Sequence, residues 1–314
     1  VSALELLGGI TTAAEPLYLN GTGISSGGAL RNISGVNTFA GPITLQSTGV
    51  RINSDSGTLT LNSGTAISGS GYNLTFGGAG NIVVSSEIGT GAGTVTKDGA
   101  GLLTLTGYNT FSGALTISAG AVQIGANGTA GAVTAASIVN NSALAFYRTD
   151  DTNYLGVISG TGYVTNRGAG MLLLTNNNSY AGGTAIDAGV IRIAHNNGLG
   201  SSAGNTTVVS GGRLELTNNI TSAENLVLNG TGGGLLGALR NVSGNNTVSG
   251  TISLNTATAI GVSQDMLTLS GAISGGNTLN KLLAGTLKLT DTSSYSVATT
   301  VIAGSLIVNG TNTS

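Results

Sequence analysis

The sequence has little of what metal centres, disulfide-stapled domains and catalytic sites need. It contains no cysteine, no tryptophan, one histidine and two prolines, and only 7% of its 314 residues are charged. The lack of cysteine excludes disulfides and thiolate metal sites, and one histidine cannot form a zinc cluster. The net charge is −2, with no basic stripe to neutralise phosphates, so we expect no nucleic-acid binding. The composition predicts neither a metal nor a cofactor.

Long apolar runs are missing as well. No stretch approaches the roughly 20 consecutive apolar residues of a membrane-spanning helix, so the sequence predicts no transmembrane segment. What the chain does have is 54 glycines and 40% hydrophobic residues. This composition favours many short strands joined by tight turns over a disordered or collagen-like chain. The chain starts at Val1 without an initiating methionine or a signal peptide, and we expect it to be a mature or excised segment of a longer protein.

One sequence motif, which we call the phrase, occurs three times in the chain. It runs over residues 101–125, 170–194 and 285–309, and the copies align without gaps. Self-similarity of this kind predicts a solenoid, whose units bury their apolar faces by stacking on one another. The alignment defines three sets of equivalent core and corner positions: Leu105, Leu174 and Leu289; Phe111, Tyr180 and Tyr295; Gly120, Gly189 and Gly304.

Apolar residues alternate with polar ones inside the phrase. The first copy shows this pattern over residues 103–106, 114–117 and 121–124, with glycine, serine and asparagine between the segments. Alternation with a period of two indicates strands with one buried face, and glycine and asparagine tolerate the backbone of tight corners. Three short strands per coil predict an all-β fold, a parallel β-helix. At about 22 residues per coil, the chain would form about 13–15 coils in a single elongated rod.

A longer repeat overlays this phrase. Residues 19–23 match residues 228–232, and residues 29–35 match residues 238–244 at the same offset. We interpret residues 1–314 as one continuous β-solenoid. It has three internal modules, which are residues 1–124, residues 125–208 (a partial copy) and residues 209–314 (a shortened copy of the first).

The repeated phrase resembles the autotransporter-associated β-strand repeat, also called the passenger-associated transport repeat. Lys97–Gly101 is similar to the usual lead-in of that family, and Tyr147–Asp151 and Ile158–Gly162 are similar to its spacer. The resemblance implies a right-handed parallel β-helix in a large bacterial surface or secreted protein. The family supplies no catalytic residues, so the resemblance implies that the chain is not an enzyme.

Three functions are compatible with this pattern, and the first is structural. Open coil ends present unpaired backbone groups, so we expect an extracellular stalk, spacer or filament that continues end to end, by tandem repetition or by stacking on itself. The second function is adhesion to glycans or cell surfaces. Its best candidate is an insertion loop between Asn140 and Tyr154. Four residues there are candidate binding residues: Phe146, Tyr147, Asp150 and Asp151.

The third function, cleavage of a glycan, has the least support. Asp150–Asp151 is the only adjacent acidic pair, and glycoside hydrolysis needs two carboxylates held about 5 to 9 Å apart across the scissile bond. The other acids, Asp55, Glu87 and Asp98, do not recur at coil spacing. We therefore expect Asp150–Asp151, which lies beside Arg148, to be a solvated turn.

Two further features each have an ordinary interpretation beside a functional one. His195 lies in an asparagine-rich turn, which is typical of a solvated residue rather than a catalyst. Three tyrosines fall on or beside the repeated corners, where packing is the default and an exposed ladder for glycans is the alternative. They are Tyr108, Tyr180 and Tyr295.

Overall fold

The computed structural model describes residues 2–291 and 298–310. The chain divides into two compact units, the first made of Val1–Arg148 and Gly156–Gly162 and the second of Thr149–Leu155 and Tyr163–Ser314. In both units the strands pair in parallel, and the fold is a parallel β-solenoid of about 13 turns. The all-β, parallel β-helix predicted from the sequence is therefore confirmed.

Short strands follow one another along the first half of the chain. They are β1 (Leu4–Leu7), β2 (Leu17–Leu19), β3 (Leu30–Ser34), β4 (Val36–Phe39), β5 (Ile43–Leu45), β6 (Val50–Ser54), β7 (Thr58–Leu61), β8 (Ile67–Ser68), β9 (Leu74–Gly77), β10 (Asn81–Val84), β11 (Ile88–Gly89), β12 (Val95–Lys97), β13 (Leu102–Leu105), β14 (Tyr108–Asn109), β15 (Leu115–Ile117), β16 (Ala121–Gly128), β17 (Ala132–Val133), β18 (Ser137–Asn140) and β19 (Ala143–Arg148).

The remaining strands belong to the second unit, except β21, which belongs to the first. They are β20 (Thr152–Tyr154), β21 (Val157–Ser159), β22 (Tyr163–Asn166), β23 (Met171–Leu174), β24 (Thr184–Ile186), β25 (Val190–Ile193), β26 (Asn205–Val208), β27 (Arg213–Leu216), β28 (Thr221–Ser222), β29 (Asn225–Leu228), β30 (Leu239–Asn241), β31 (Asn246–Val248), β32 (Ile252–Leu254), β33 (Thr258–Val262), β34 (Met266–Leu269), β35 (Ile273–Ser274), β36 (Leu279–Leu282), β37 (Thr286–Leu289), β38 (Thr299–Val301) and β39 (Ser305–Val308).

Helical structure is limited to two single turns of 3₁₀ helix, Ile24–Ser26 and Gly233–Leu235. They lie at equivalent places in the two copies of the longer repeat. The described residues contain no α-helix, and none of them builds a helix with the length and apolar character needed to cross a membrane. The division into three sequence modules stays a prediction.

Within each unit, a strand pairs with its equivalents one coil before and one coil after, so strand order in a sheet follows chain order. The sheets of the first unit contain β1-β3-β6-β9-β12-β15-β18-β21, β4-β7-β10-β13-β16-β19, β2-β5-β8-β11 and β14-β17. Those of the second unit contain β20-β23-β25-β27-β30-β33-β36-β38, β22-β24-β26-β29-β32-β35 and β28-β31-β34-β37-β39.

Aliphatic side chains at one register position form ladders in the interior of each unit. Because side chains alternate between the two faces of a strand, every second residue enters such a ladder. Each of these side chains contributes roughly 1.5–3 kcal/mol through removal of apolar surface from water. One ladder of the first unit consists of the buried residues Val50, Leu74, Val95, Leu115, Ile138 and Ile158.

Candidate functional site

The leucines of the repeated phrase lie in the core. Leu105, Leu174 and Leu289 are each at most 3% exposed. They end strands β13, β23 and β37, and each pairs in register with an aliphatic residue of the following coil. These positions hold neighbouring coils together and present nothing to a ligand.

The aromatic positions of the phrase are buried where the structure describes them. Phe111 and Tyr180 are fully buried, and the Tyr180 hydroxyl lies 2.8 Å from Thr184 Oγ1. Tyr295 lies outside the described residues. Tyr108 is the exposed tyrosine of the predicted ladder, at 64%. Because Tyr180 is buried, it cannot belong to an exposed aromatic ladder, and packing is the correct interpretation for it.

Glycine at the repeated corner allows two coils to approach closely. Gly120, Gly189 and Gly304 have φ angles of 69°, 59° and 71°, a region that side chains disfavour. A Cβ at each corner would lie 2.4 Å from a carbonyl oxygen of the preceding coil, and the three oxygens belong to Gly99, Gly168 and Gly285. Any larger residue would force the two coils apart there.

Buried asparagine side chains hold another set of corners, which the sequence analysis missed. Asn109 Oδ1 accepts a hydrogen bond from the Ile88 backbone N–H at 3.1 Å, and its amide donates to the Ala132 carbonyl at 2.9 Å. One side chain thus bridges the coils before and after its own. A signal was present, because Asn109 and Asn178 hold the same place in the repeated phrase. Four corner asparagines are at most 2% exposed: Asn37, Asn109, Asn178 and Asn246.

In the sequence just before each copy of the phrase, one residue points a hydrogen-bond-donating side chain into the core. The position is Lys97, Asn166 or Lys281, each at most 3% exposed. Each side chain donates to the carbonyl of an alanine in the next coil, at 3.4, 3.1 and 2.9 Å respectively. Burial lowers the pKa of Lys97 to about 8 because desolvation disfavours the ammonium form. The sequence shows Lys97 in the lead-in but not that it points inward.

The predicted binding loop between Asn140 and Tyr154 is instead two strands, β19 and β20. Phe146 pairs in register with Ile124 and is 2% exposed, so it is a core residue. The polar run that suggested an insertion is the ordinary corner between Arg148 and Thr152. A ligand therefore cannot contact Phe146 in this fold.

The other three candidate residues of that segment lie at the corner or beside it. Tyr147 and Asp150 are half-buried and Asp151 is exposed. Asp151 Oδ1 accepts a hydrogen bond from the Met171 backbone N–H at 2.9 Å, which gives this carboxylate a structural partner in the next coil. Their role in binding stays a prediction.

The remaining candidates for chemistry also have structural partners. Asp55 and Asp98 pair with arginines at 2.6 and 2.7 Å, and Glu87 accepts a hydrogen bond from the Thr110 hydroxyl. His195 Nδ1 accepts one from the Asn197 backbone N–H at 3.1 Å, within its turn. Across residues 2–291 and 298–310, no group of three or more histidine, aspartate or glutamate side chains is placed to hold a metal ion.

One carboxylate, Glu224, is buried without a cation beside it. It is 4% exposed, and Oε1 accepts a hydrogen bond from the Thr206 hydroxyl at 3.0 Å. Burial raises the pKa of Glu224 to about 7, although the Thr206 hydrogen bond lowers it in part. Glu15 holds the equivalent place in the first copy of the longer repeat and is exposed, because its neighbouring strand β2 forms the edge of its sheet.

An outward face of the first unit carries charges of both signs. Glu5 and Arg31 are register partners, with Arg31 Nη1 3.1 Å from Glu5 Oε1. Arg31 also binds Asp55 at 2.6 Å, and Arg51 binds Asp98 at 2.7 Å. We call these five residues the first charge cluster. Its three carboxylates outnumber its two guanidinium groups.

The equivalent face of the second unit carries mainly arginine. Glu215 has Arg192 and Arg240 as its register partners, and Arg213 precedes it by two residues on the same strand. Glu215 Oε2 accepts hydrogen bonds from Arg192 Nε at 2.8 Å and Nη2 at 2.5 Å. Its Oε1 accepts from Arg213 Nε at 2.8 Å and Arg240 Nη1 at 3.0 Å. We call these four residues the second charge cluster.

The carboxylate of the second cluster is enclosed by its arginines. The Glu215 side chain is 1% exposed. Burial by itself raises the pKa of a carboxyl, but the Arg192 hydrogen bond and the charges of the three guanidinium groups together lower the pKa of Glu215 below its ordinary value. Glu215 is therefore ionised at neutral pH.

In-register coils, glycine corners and buried bridging amides define a parallel β-solenoid built from a repeated phrase. The model of the passenger-associated-transport-repeat family matches residues 95–124, 164–193 and 284–308, so the chain carries three copies of this repeat. The family resemblance of the sequence is confirmed.

A curated relative matches part of the chain. Over 155 residues the chain is 36% identical to a protein named "Adhesin BmaC autotransporter" from Brucella suis biovar 1 (strain 1330), and this match covers 49% of the chain and 4% of the relative. No solved structure matches the chain significantly. The repeat and the relative together indicate a location on the cell surface or in the secreted fraction.

Proposed function

We propose that the chain is a non-catalytic segment of a bacterial surface passenger, and that its task is to extend a stalk or filament coil by coil. The observation that carries this proposal is the equivalence of the copies. Each copy of the phrase buries a leucine and turns at a glycine in equivalent positions, and an inward donor, either lysine or asparagine, precedes each copy. Because coils that carry the phrase share these positions and neighbouring coils pair in parallel register, the structure can be lengthened by repetition.

Edge strands support continuation of the pairing. Among the described residues, β1 pairs only with β3, and β39 pairs only with β37. The backbone groups on the other side of each strand are available to a further coil. That coil comes either from tandem repetition within one polypeptide or from a second copy of this chain.

The test is imaging of a tandem fusion. Two head-to-tail copies of the chain should give particles whose contour length in negative-stain electron micrographs is about twice that of one copy. A fusion with Val308→Pro near the junction is the matched control. The N–H groups of Ser305 and Asn309 bond to the preceding coil, so the N–H of Val308 faces the next coil. Proline removes that strand hydrogen bond, and the fusion should show a break or bend there. Two separate globules joined by a linker in the unmodified fusion would contradict the proposal.

Adhesion is the second candidate function, and it is favoured by the name of the relative, which is an adhesin. The match covers about half of this chain but only 4% of that protein, so its adhesive role comes to this chain as a proposal. Purified chain coated on a surface should retain mammalian cells above the level of an albumin coat. Equal retention on both surfaces would contradict adhesion by this segment and leave the structural function untouched.

A further inference from the structure

The second charge cluster has more positive charge than its carboxylate neutralises. Three guanidinium groups face Glu215, and no other acidic residue lies on the eight strands of this sheet. Like charges held side by side repel one another unless a counter-charge lies between them. An arrangement with two excess positive charges therefore favours a bound external anion.

Each arginine of the cluster keeps a donor for such an anion. Arg192 uses Nε and Nη2 on Glu215. Arg213 uses Nε on Glu215 and Nη1 on the Gly233 carbonyl at 2.6 Å. Arg240 uses Nη1 on Glu215 and Nε on Ser263 Oγ at 2.9 Å.

The remaining nitrogens are Nη1 of Arg192, Nη2 of Arg213 and Nη2 of Arg240. Within the described part of the chain they have no protein acceptor, and none of them is a buried polar atom without a partner. The three side chains keep 30%, 13% and 21% of their surface exposed. Their unused N–H groups are therefore accessible to a ligand on the outer face of the sheet.

In the first charge cluster, a carboxylate neutralises the arginine that is equivalent to Arg240. Arg31 and Arg240 are equivalent, but Nε of Arg31 donates to Asp55 Oδ2 at 2.8 Å, whereas Nε of Arg240 donates to the hydroxyl of Ser263. The backbone N–H groups of Asp55 and Ser263 also donate to equivalent asparagine carbonyls. A neutral serine thus stands where the first copy has an acid. The charge of this face differs between the copies because of this exchange and because Arg192 and Arg213 have no counterpart beside Glu5.

We propose that Arg192, Arg213 and Arg240 bind a sulfated polysaccharide through its sulfate groups. Guanidinium groups bind oxyanions through paired N–H donors and keep their charge at every physiological pH. Arg192 and Arg240 lie two coils apart, about 10 Å at the spacing of parallel strands, so successive sulfates of one linear chain can engage both. The choice of a polysaccharide rests on the adhesive function proposed above; the anion site itself does not.

Calorimetric titration of the 314-residue chain with dextran sulfate tests the site, with unsulfated dextran as the ligand control. We expect binding of dextran sulfate only. Ser263→Asp should weaken it at least tenfold, because the new carboxylate would occupy Arg240 as Asp55 occupies Arg31, while all three arginines and Glu215 remain. Ser263→Asn is the neutral control for size. It and Arg31→Gln, the change at the equivalent arginine, should each stay within about twofold of the unmodified chain.

The circular dichroism spectrum and melting temperature of each variant establish that it is folded. Failure of dextran sulfate to bind the unmodified chain, equal binding by Ser263→Asp, or an equal loss in Arg31→Gln would each overturn the site. Cell retention separates the two proposals. If the Ser263→Asp variant retains cells as well as the unmodified chain does, the sulfated polysaccharide is not the adhesive ligand, although adhesion itself stands. Absence of retention by a chain that still binds dextran sulfate removes adhesion and supports the anion site.

Discussion

The two copies of the longer repeat keep the same interior corner but differ in the charge of their outer face. Asn37 donates to Asn32 Oδ1 in the first copy as Asn246 does to Asn241 Oδ1 in the second. Oδ1 of Asn37 and Oδ1 of Asn246 in turn each accept a hydrogen bond from the backbone N–H of an isoleucine, at 2.7 and 2.8 Å. Inward side chains must satisfy the backbone of adjoining coils, so their replacement is costly. Outward side chains such as Arg31 and Arg240 bond other side chains instead, so ligand binding can evolve there.

Removal of the central carboxylate, Glu215, should give the largest difference in stability between the two copies. Glu215→Ala leaves three arginines without their shared counter-charge, and we expect a loss of about 3 kcal/mol in the free energy of unfolding, as for a broken buried ion pair. Its counterpart Glu5 has a side chain that is 45% exposed, and Glu5→Ala should change stability little. Urea unfolding followed by circular dichroism measures both. Similar losses in the two variants would show that burial of Glu215 does not matter.

The buried Glu224 of the second copy should make the stability of the fold depend on pH. The folded-state pKa of Glu224 is about 7, above the ordinary value of 4.5 for a glutamate. Its contribution to stability is therefore fully present below pH 4.5 and is lost as the pH rises through 7, by at most roughly 3 kcal/mol. Glu224→Gln keeps an acceptor for Thr206 and should remove this decline, whereas Glu15→Gln should not. Melting temperatures from pH 4 to 8 measure the difference, and parallel profiles for Glu224→Gln and the unmodified chain would contradict it.

The corner asparagines should be equally important in both copies. Asn37→Ala and Asn246→Ala each leave buried backbone groups without a partner, and we expect about 2 kcal/mol of destabilisation for each. Asn245→Ala, at an exposed neighbouring position, is the control and should have little effect. Denaturant unfolding provides the comparison. A neutral result in one copy alone would mean that the shared hydrogen bonds do not have a shared role.

The smallest expected effect is a transfer of anion binding to the first copy. Asp55→Ser combined with Asp98→Asn leaves Arg31 and Arg51 beside Glu5, a net charge of +1 on that face. We expect weak additional binding of dextran sulfate in a chain whose second cluster carries Ser263→Asp. No gain would show that the geometry of the three arginines matters beyond their charge.

The sequence predicted those parts of the fold that are encoded locally. Alternation around Leu105 and the glycine at position 120 specify a strand and a corner within a few residues, and both positions have the expected environment. Burial of Lys97 and Asn109 escaped prediction because these residue types are usually exposed, and their partners lie one coil away. The polar run around Asp150 predicts an insertion loop as readily as a corner between two strands, because both are rich in polar residues.

The second charge cluster was missed for a related reason. Arg192, Glu215 and Arg240 are more than twenty residues apart in sequence and meet only because strands β25, β27 and β30 pair in one register. A shift of a single residue would turn each side chain to the opposite face of the sheet. Composition, which gave a net charge of −2, averages out such a local excess of positive charge.

The glycine corners restrict how a protein of this kind changes its length. At Gly120 and Gly189 the backbone of one turn rests against a carbonyl of the turn before it, with no room for even a methyl group. Insertion or loss of one residue at either corner would move a bulkier neighbour into that contact and turn the side chains of the following strand to the opposite face. Length changes at these two corners therefore come as whole windings, while segments away from them vary, for example with an offset of 20 residues between the register partners Val95 and Leu115 and of 26 between Leu4 and Leu30.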